Sequence, residues 1–209
     1  MKNFLLTLSE YNRVHQTARG VLDGVPAPER SCIFFAIYGT YILKKHYKIP
    51  ARPIAGGFAL CVDDEPSVMF FGKGDGGRIV AASDGFHMWV QTPTHIIDFM
   101  APIFREALGG SLPGVAVPRK MLQRPIATEA NSCNRVKTTG DFITFPDPEL
   151  TQALIGDFAA VQANKDLLMI AENWFGSPNV KQQKTFEMVD DRGEVFPLSL
   201  PTTIATGIW

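Results

Sequence analysis

The spacing of apolar residues near the start of the chain predicts an amphipathic helix. Between Leu8 and Leu22 apolar residues recur at helical intervals, and polar residues occupy the opposite side. The helix is expected to end near Gly24, because glycine is typical of a helix terminus. His15 falls on the polar side of this pattern and is therefore expected to be solvated.

A second predicted helix is apolar on nearly every face. It begins at Cys32, continues through Leu43 and ends before Ile49-Pro50, where the residue preceding proline is biased away from helical backbone. Ser31 stands at the expected N-cap. A helix without a polar face is buried on all sides, so we expect it at the centre of the fold.

Strands and turns are predicted to dominate the middle of the chain. The patterns favour strands over residues 51–62, 67–71, 87–92 and 95–100, a glycine-rich loop over Gly72–Gly85, helices over 104–108, from 148 onward and over 167–174, and a closing hairpin over 184–198. We therefore predict an α+β fold. A single domain is expected to span residues 1–209, with its core at about 30–102 and peripheral helices and strands at 103–209.

Composition narrows the classes of function. The net charge of −1 provides no long-range attraction for nucleic acid or anionic lipid, so neither is an expected partner. No stretch approaches the roughly 18 apolar residues of a membrane span, and the short apolar stretch at the amino terminus is too brief for a secretory signal. The expected location is the cytoplasm.

The three cysteines have different expected roles. Their odd number and the absence of CxxC spacing argue against a disulfide framework and a structural zinc site, and no metal or cofactor is predicted. Cys61 lies in an apolar strand and is expected in the core, while Cys133 lies in a polar stretch. Cys32 lies in the first turn of the buried helix, where backbone N–H groups and the helix dipole stabilise a thiolate.

A partner for that thiolate is predicted from strand geometry. Pro93-Thr94 separates two short strands, which are expected to form an antiparallel hairpin. With a loop of even length, His87 and Asp98 project from the same face, directly opposed for a turn centred on Thr92-Pro93 and diagonal for one centred on Pro93-Thr94. His95 is the weaker candidate base, because its odd separation from Asp98 places the two on opposite faces.

At this point the sequence resembles a known family. SCIFFAIYGTYILKKHYKIPARPIAGGFAL, followed by HMWVQTPTHIIDFMAP, is similar to the core of the transglutaminase-like branch of the papain-like cysteine proteinase superfamily. The resemblance covers roughly residues 30–102. The chain is also similar to an uncharacterised bacterial family with the cysteine-proteinase fold. That second resemblance implies no particular activity.

The resemblance implies a fold and a catalytic triad. The implied fold is papain-like, with a nucleophile helix packed on an antiparallel β-sheet. Cys32 matches the nucleophile, His87 the base and Asp98 the residue that orients the base. Where papain relatives keep a glutamine as oxyanion donor, this chain has Pro26, so the expected donors are backbone N–H groups or another, unidentified side chain.

The predicted substrate-binding residues are Trp89, Gly57 and Phe58. Trp89 shares the face of His87 and is expected either to pack in the core or to line a substrate groove. Gly57 and Phe58 match a strand position of the family. The expected partner is a peptide or another amide-containing substrate, and the oligomeric state is left open.

Three functions compete on this reading. The first is a cysteine hydrolase that cleaves an amide, peptide or isopeptide bond through a thioester acyl-enzyme. The second is an acyltransferase of the transglutaminase or arylamine acetyltransferase kind, which delivers the acyl group to an amine. The third is a catalytically silent peptide-binding module that retains the fold.

Overall fold

The two amino-terminal helices follow from their local sequence. The structure is a computed structural model that describes residues 4–25, 31–75, 78–81, 85–108 and 114–209. The first helix starts at a capping box, in which the Thr7 hydroxyl accepts from the Glu10 backbone and the Glu10 carboxylate accepts from that of Thr7. The second helix is buried among the other elements, as its apolar sequence predicts.

The regular elements occur along the length of the described chain and include more than half of its residues. The helices are α1 (Leu8–Val21), α2 (Cys32–His46), α3 (Phe104–Ala107), α4 (Pro148–Ala160) and α5 (Gln162–Phe175). The strands are β1 (Arg52–Cys61), β2 (Val68–Phe71), β3 (Lys73–Asp75), β4 (Arg78–Val80), β5 (His87–Gln91), β6 (His95–Asp98), β7 (Leu122–Pro125), β8 (Phe142–Pro146), β9 (Thr185–Val189) and β10 (Val195–Ser199). The fold is therefore α+β, as predicted.

The main sheet is antiparallel and is organised around the long strand β1. Its order is β2-β1-β5-β6-β7, with β8 also paired to β1. Gly56 pairs with both His87 and Pro146, so β5 and β8 lie on opposite edges of β1. Strand β2 pairs with residues of β1 that also pair with β8, so it shares the edge of β5. The beginning of β5, with His87, thus meets the end of β2.

Helices cover this sheet and close the core. Helix α2 packs against β5 and β1, and α1 packs against both α2 and α5. Helix α4 packs against β1, where the buried Thr151 hydroxyl accepts a hydrogen bond from the Ala55 backbone at 2.9 Å. None of the helices in the described ranges is long and apolar enough to cross a bilayer.

The structure differs from the predicted layout at several places. Strands β7 and β8 belong to the main sheet, so residues 103–209 are not merely peripheral; both strands are short and owe their pairing to distant partners. Within the glycine-rich loop, β3 and β4 pair as a two-stranded ribbon, while residues 76–77 and 82–84 lie outside the described residues. Residues 26–30, with Pro26, also lie outside them. Ser31 occupies the N-cap, but its side chain does not bond to the first turn.

Candidate active site

Helix α2 places Cys32 at the first position of its first turn. The side chain is 6% exposed and lies near the His87 ring, whose pKa it raises. The first backbone hydrogen bond of the helix runs from Phe35 to Ser31, at 3.2 Å. The amide groups of residues 32–34 therefore precede the intrahelical ladder and point toward the end of the helix that carries Cys32.

The β5–β6 hairpin brings His87 and Asp98 together. Val90 pairs with Ile97 across the hairpin, so the turn is centred on Pro93-Thr94 and the His87 position is diagonal to Asp98. This is one of the two arrangements predicted from strand alternation. Diagonal positions on one face are within reach of long side chains.

Asp98 uses both carboxylate oxygens in the interior of the protein. Oδ2 forms a hydrogen bond with Nε2 of His87, and Oδ1 accepts from the Met100 backbone N–H at 2.9 Å. His87 and Asp98 are 1% and 2% exposed, so water does not screen their interaction. Since Nε2 faces Asp98, Nδ1 is the ring nitrogen left for the Cys32 thiol.

The balance of electrostatic effects favours a protonated His87. Burial by itself lowers the pKa of His87, but the Asp98 carboxylate and, to a smaller extent, Cys32 raise it, to about 10 from the usual 6.5. An imidazolium at this position donates one hydrogen bond to Asp98 and has a second N–H available for a thiolate.

Aromatic rings enclose the His87 imidazole. Phe71 is stacked on it with a centroid distance of 4.4 Å, Phe104 meets it edge-on at 5.5 Å, and Phe58 is tilted against it, also at 5.5 Å. These rings come from β2, α3 and β1, which meet where β5 begins. They hold the imidazole in place and exclude water from it.

The three predicted substrate-binding residues do not line an open groove. Trp89 and Phe58 have no exposed surface, and Gly57 is buried as well. Trp89 packs against the Phe58 ring at 6.1 Å, and Phe58 in turn contacts His87. In this structure Trp89 therefore packs beneath the site, which is one of the two roles expected for it, and substrate contact by Gly57 and Phe58 stays a prediction.

Helix α1 contributes two residues whose contacts the sequence did not reveal. Tyr11 was expected on the apolar face, but its hydroxyl also donates a hydrogen bond to the backbone carbonyl of Asp98. His15 is fully buried rather than solvated, and its Nδ1 bonds to the Phe99 carbonyl at 2.8 Å. Burial lowers the pKa of His15 to about 4, so the ring is neutral and Nδ1 is the donor. Residue spacing within the sequence does not predict that α1 contacts the end of β6.

The remaining candidate residues lie apart from this arrangement. Cys61 is fully buried and its thiol donates to the Asp63 carbonyl, while burial raises the pKa of that thiol. Cys133 is half-buried and belongs to a separate part of the molecule. His95 shares a hydrogen bond with the Thr94 hydroxyl at 2.8 Å. Among the residues that the structure describes, no group of three or more His, Cys, Asp and Glu side chains is arranged to hold a metal ion.

Comparisons with known proteins place the chain in a family. It is similar to a solved structure described as "The crystal structure of genomics APC5867", with 29% sequence identity and a TM-score of 0.87; the match covers 100% of this chain and 99% of the other. A comparison with curated proteins gives no match. The family model described as "Protein of unknown function (DUF2026)" matches residues 7–209. The chain therefore belongs to the DUF2026 family.

Proposed function

We propose that this protein is a cysteine-dependent hydrolase in which Cys32 is the nucleophile, His87 the general base and Asp98 the residue that orients and charges His87. The observation that carries the proposal is the continuous chain of contacts from the Cys32 thiol through the His87 ring to the Asp98 carboxylate, all of it buried. A thiol, an imidazole and a carboxylate in this order form the machinery of acyl transfer through a thioester.

The proposed reaction has two half-reactions. His87 takes the proton of Cys32, and the thiolate attacks the carbonyl carbon of an amide. The tetrahedral intermediate collapses to a thioester, while the imidazolium returns its proton to the leaving amine. Water, deprotonated by the same imidazole, then attacks the thioester and releases the carboxylic acid and the free thiol.

The negative oxygen of each tetrahedral intermediate needs hydrogen-bond donors. The first-turn amides of α2 are available in the described part of the chain, because the Ser31 side chain does not cap them. Their proximity to Cys32 makes them suitable for the oxyanion role, and the positive end of the α2 dipole acts in the same direction.

We further propose that the fold is the papain-like one, in its transglutaminase-like form. Three features support this: the nucleophile begins a central helix, that helix packs on an antiparallel sheet, and the order along the chain is Cys, His, Asp. The proposed substrates are peptides or other molecules with an amide or isopeptide bond, acted on in the cytoplasm. Acyl transfer to an amine, and peptide binding without catalysis, are alternative outcomes of the experiments below.

The first test measures how fast each cysteine reacts with iodoacetamide as pH is varied, with labelling sites read by mass spectrometry. An ordinary thiol is only about 1% ionised at pH 6.5, whereas a thiolate paired with an imidazolium is already reactive there. We expect Cys32 to react at pH 6.5 at least about tenfold faster than Cys133, and to lose that advantage in His87→Ala. Buried Cys61 in the same molecule serves as the unreactive control.

Two outcomes contradict the proposal. The first is a Cys32 that stays unreactive while the protein is folded, and the second is a rate that does not respond to His87→Ala in a variant with an unchanged circular dichroism spectrum. Either outcome favours the silent binding module. If the pair is confirmed, acylation by p-nitrophenyl acetate, followed by release to water or to an added amine, distinguishes hydrolysis from acyl transfer.

A further inference from the structure

The orientation of the Asp98 carboxylate depends on a backbone segment that is bonded to helix α1. The Asp98 side chain bonds to the backbone N–H two residues later, so residues 98–100 and the carboxylate form one local unit. The next residue, Phe99, packs against Gly39 on α2, where a Cβ would lie 2.3 Å from the Phe99 ring. The orientation of the carboxylate therefore depends on where this segment lies.

Tyr11 anchors that segment from the other side. Its hydroxyl donates to the Asp98 carbonyl, and its ring is stacked on Phe99 at a centroid distance of 5.1 Å. Tyr11 has no exposed surface, so no water replaces the hydroxyl as a donor. Burial and the nearby Asp98 charge raise the pKa of Tyr11 well above its usual range, which keeps the hydroxyl protonated and able to donate.

His15, one turn farther along α1, makes a second bond to the same segment. Nδ1 donates to the Phe99 carbonyl, and the ring is stacked on Phe35 of α2 at 5.8 Å. Helix α1 thus contacts both the segment that carries Asp98 and the helix that carries Cys32. It lies outside the part of the chain that resembles the transglutaminase-like core.

We propose that Tyr11 is a positioning residue for the triad, which holds Asp98 in bonding range of His87 through its hydrogen bond to the Asp98 carbonyl. The inference rests on the proposed function, since it gives a role in catalysis to a residue that does not touch the reacting atoms. The titratable groups that act on His87 are Cys32 from α2 and Asp98 from β6, and Tyr11 acts on Asp98 from α1. Tyr11 is therefore expected to affect His87 through Asp98.

The test compares two tyrosine-to-phenylalanine variants of the full chain. Tyr11→Phe removes the bond to Asp98 but keeps the ring on Phe99. Tyr38→Phe is the matched control, because Tyr38 is equally buried and its hydroxyl also donates to a backbone carbonyl, that of Ala171 at 3.2 Å. The expected result is a loss of about three- to tenfold in the rate of Cys32 alkylation at pH 6.5 in Tyr11→Phe and none in Tyr38→Phe, the size expected for one hydrogen bond.

A double-mutant cycle then tests the route through Asp98. If Tyr11 acts by positioning Asp98, Tyr11→Phe has no further effect on the rate once Asp98→Asn is present. Equal rates in the wild type and Tyr11→Phe, equal losses in both tyrosine variants, or additive effects with Asp98→Asn overturn the inference. The proposed function fails by a different result, namely a wild-type Cys32 rate that is independent of His87.

Discussion

Replacing Asp98 by Asn tests whether the buried pair carries the charges that the structure implies. The substitution keeps the shape of the side chain and an oxygen that can accept from the Met100 backbone. It removes the negative charge that faces Nε2 of His87. The imidazolium then loses the carboxylate that contributes most to its stabilisation, and the ring is expected to release its proton at a lower pH.

The size and pH dependence of the effect follow from the pKa of His87. The folded-state pKa is about 10 and the ordinary value 6.5, so protonated His87 stabilises the fold fully below pH 6.5, and this stabilisation is lost as pH rises through about 10. Removing one partner of a buried ion pair costs about 3 kcal/mol or somewhat more. We therefore expect Asp98→Asn to lower the free energy of unfolding by about 3 kcal/mol near pH 6, and by less than about 1 kcal/mol at pH 10.

Urea denaturation followed by circular dichroism at several pH values from 6 to 10 measures this difference. Asp23→Asn is the control for loss of a carboxylate, since Asp23 pairs with Arg19 at 3.9 Å on the surface and its side chain is 73% exposed. That variant is expected to change stability by less than about 0.5 kcal/mol at every pH. A difference between the wild type and Asp98→Asn that stays constant, or grows, from pH 6 to pH 10 would refute the assignment of charge to His87.

Two further predictions concern the packing that supports the site. Gly39→Ala places a Cβ against the ring of Phe99 and is expected to lower the free energy of unfolding, measured by urea denaturation, by about 2 kcal/mol. The control is Gly156→Ala on α4, where a Cβ meets nothing within 4 Å, and this variant is expected to be more stable by about 0.5 kcal/mol. An unchanged stability in Gly39→Ala would contradict the close packing of Phe99 on Gly39. Gln123 is fully buried and bonds to both the amide and the carbonyl of Leu6. Gln123→Met is expected to cost about 2 kcal/mol and to speed hydrogen exchange at the Leu6 amide, and unchanged exchange there would show that the bond does not hold the segment before α1.

The geometry of the predicted triad was accessible from the sequence because it depends on local rules. A helix start is recognisable from its apolar pattern, which placed Cys32 at the first turn of α2. Alternation along a strand has a period of two, so His87 and Asp98 were expected on one face as soon as the turn at Pro93-Thr94 was identified. Their catalytic roles remain predictions.

The surroundings of the site were not accessible in the same way. Strand β7 pairs with β6 and β8 with β1, although β8 is more than eighty residues beyond β1 in the chain, and nothing local in either short segment specifies its partner. The sequence pattern assigned His15 to the polar side of α1, yet it is buried against α2 and the end of β6. The sequence left two roles open for Trp89, and its complete burial in the structure favours packing in the core.

What the sequence by itself determined about this protein is the position of α1, α2, β1 and the β5–β6 hairpin and the common face of His87 and Asp98, because backbone periodicity and helix termini depend on neighbouring residues alone. What only the tertiary structure decided is which of those surfaces meet. The approach of Cys32 to His87, the enclosure of the imidazole by rings from three elements and the bond from Tyr11 to Asp98 all join residues far apart in the chain. Such contacts are selected by the packing of the whole core, which no short window of sequence contains.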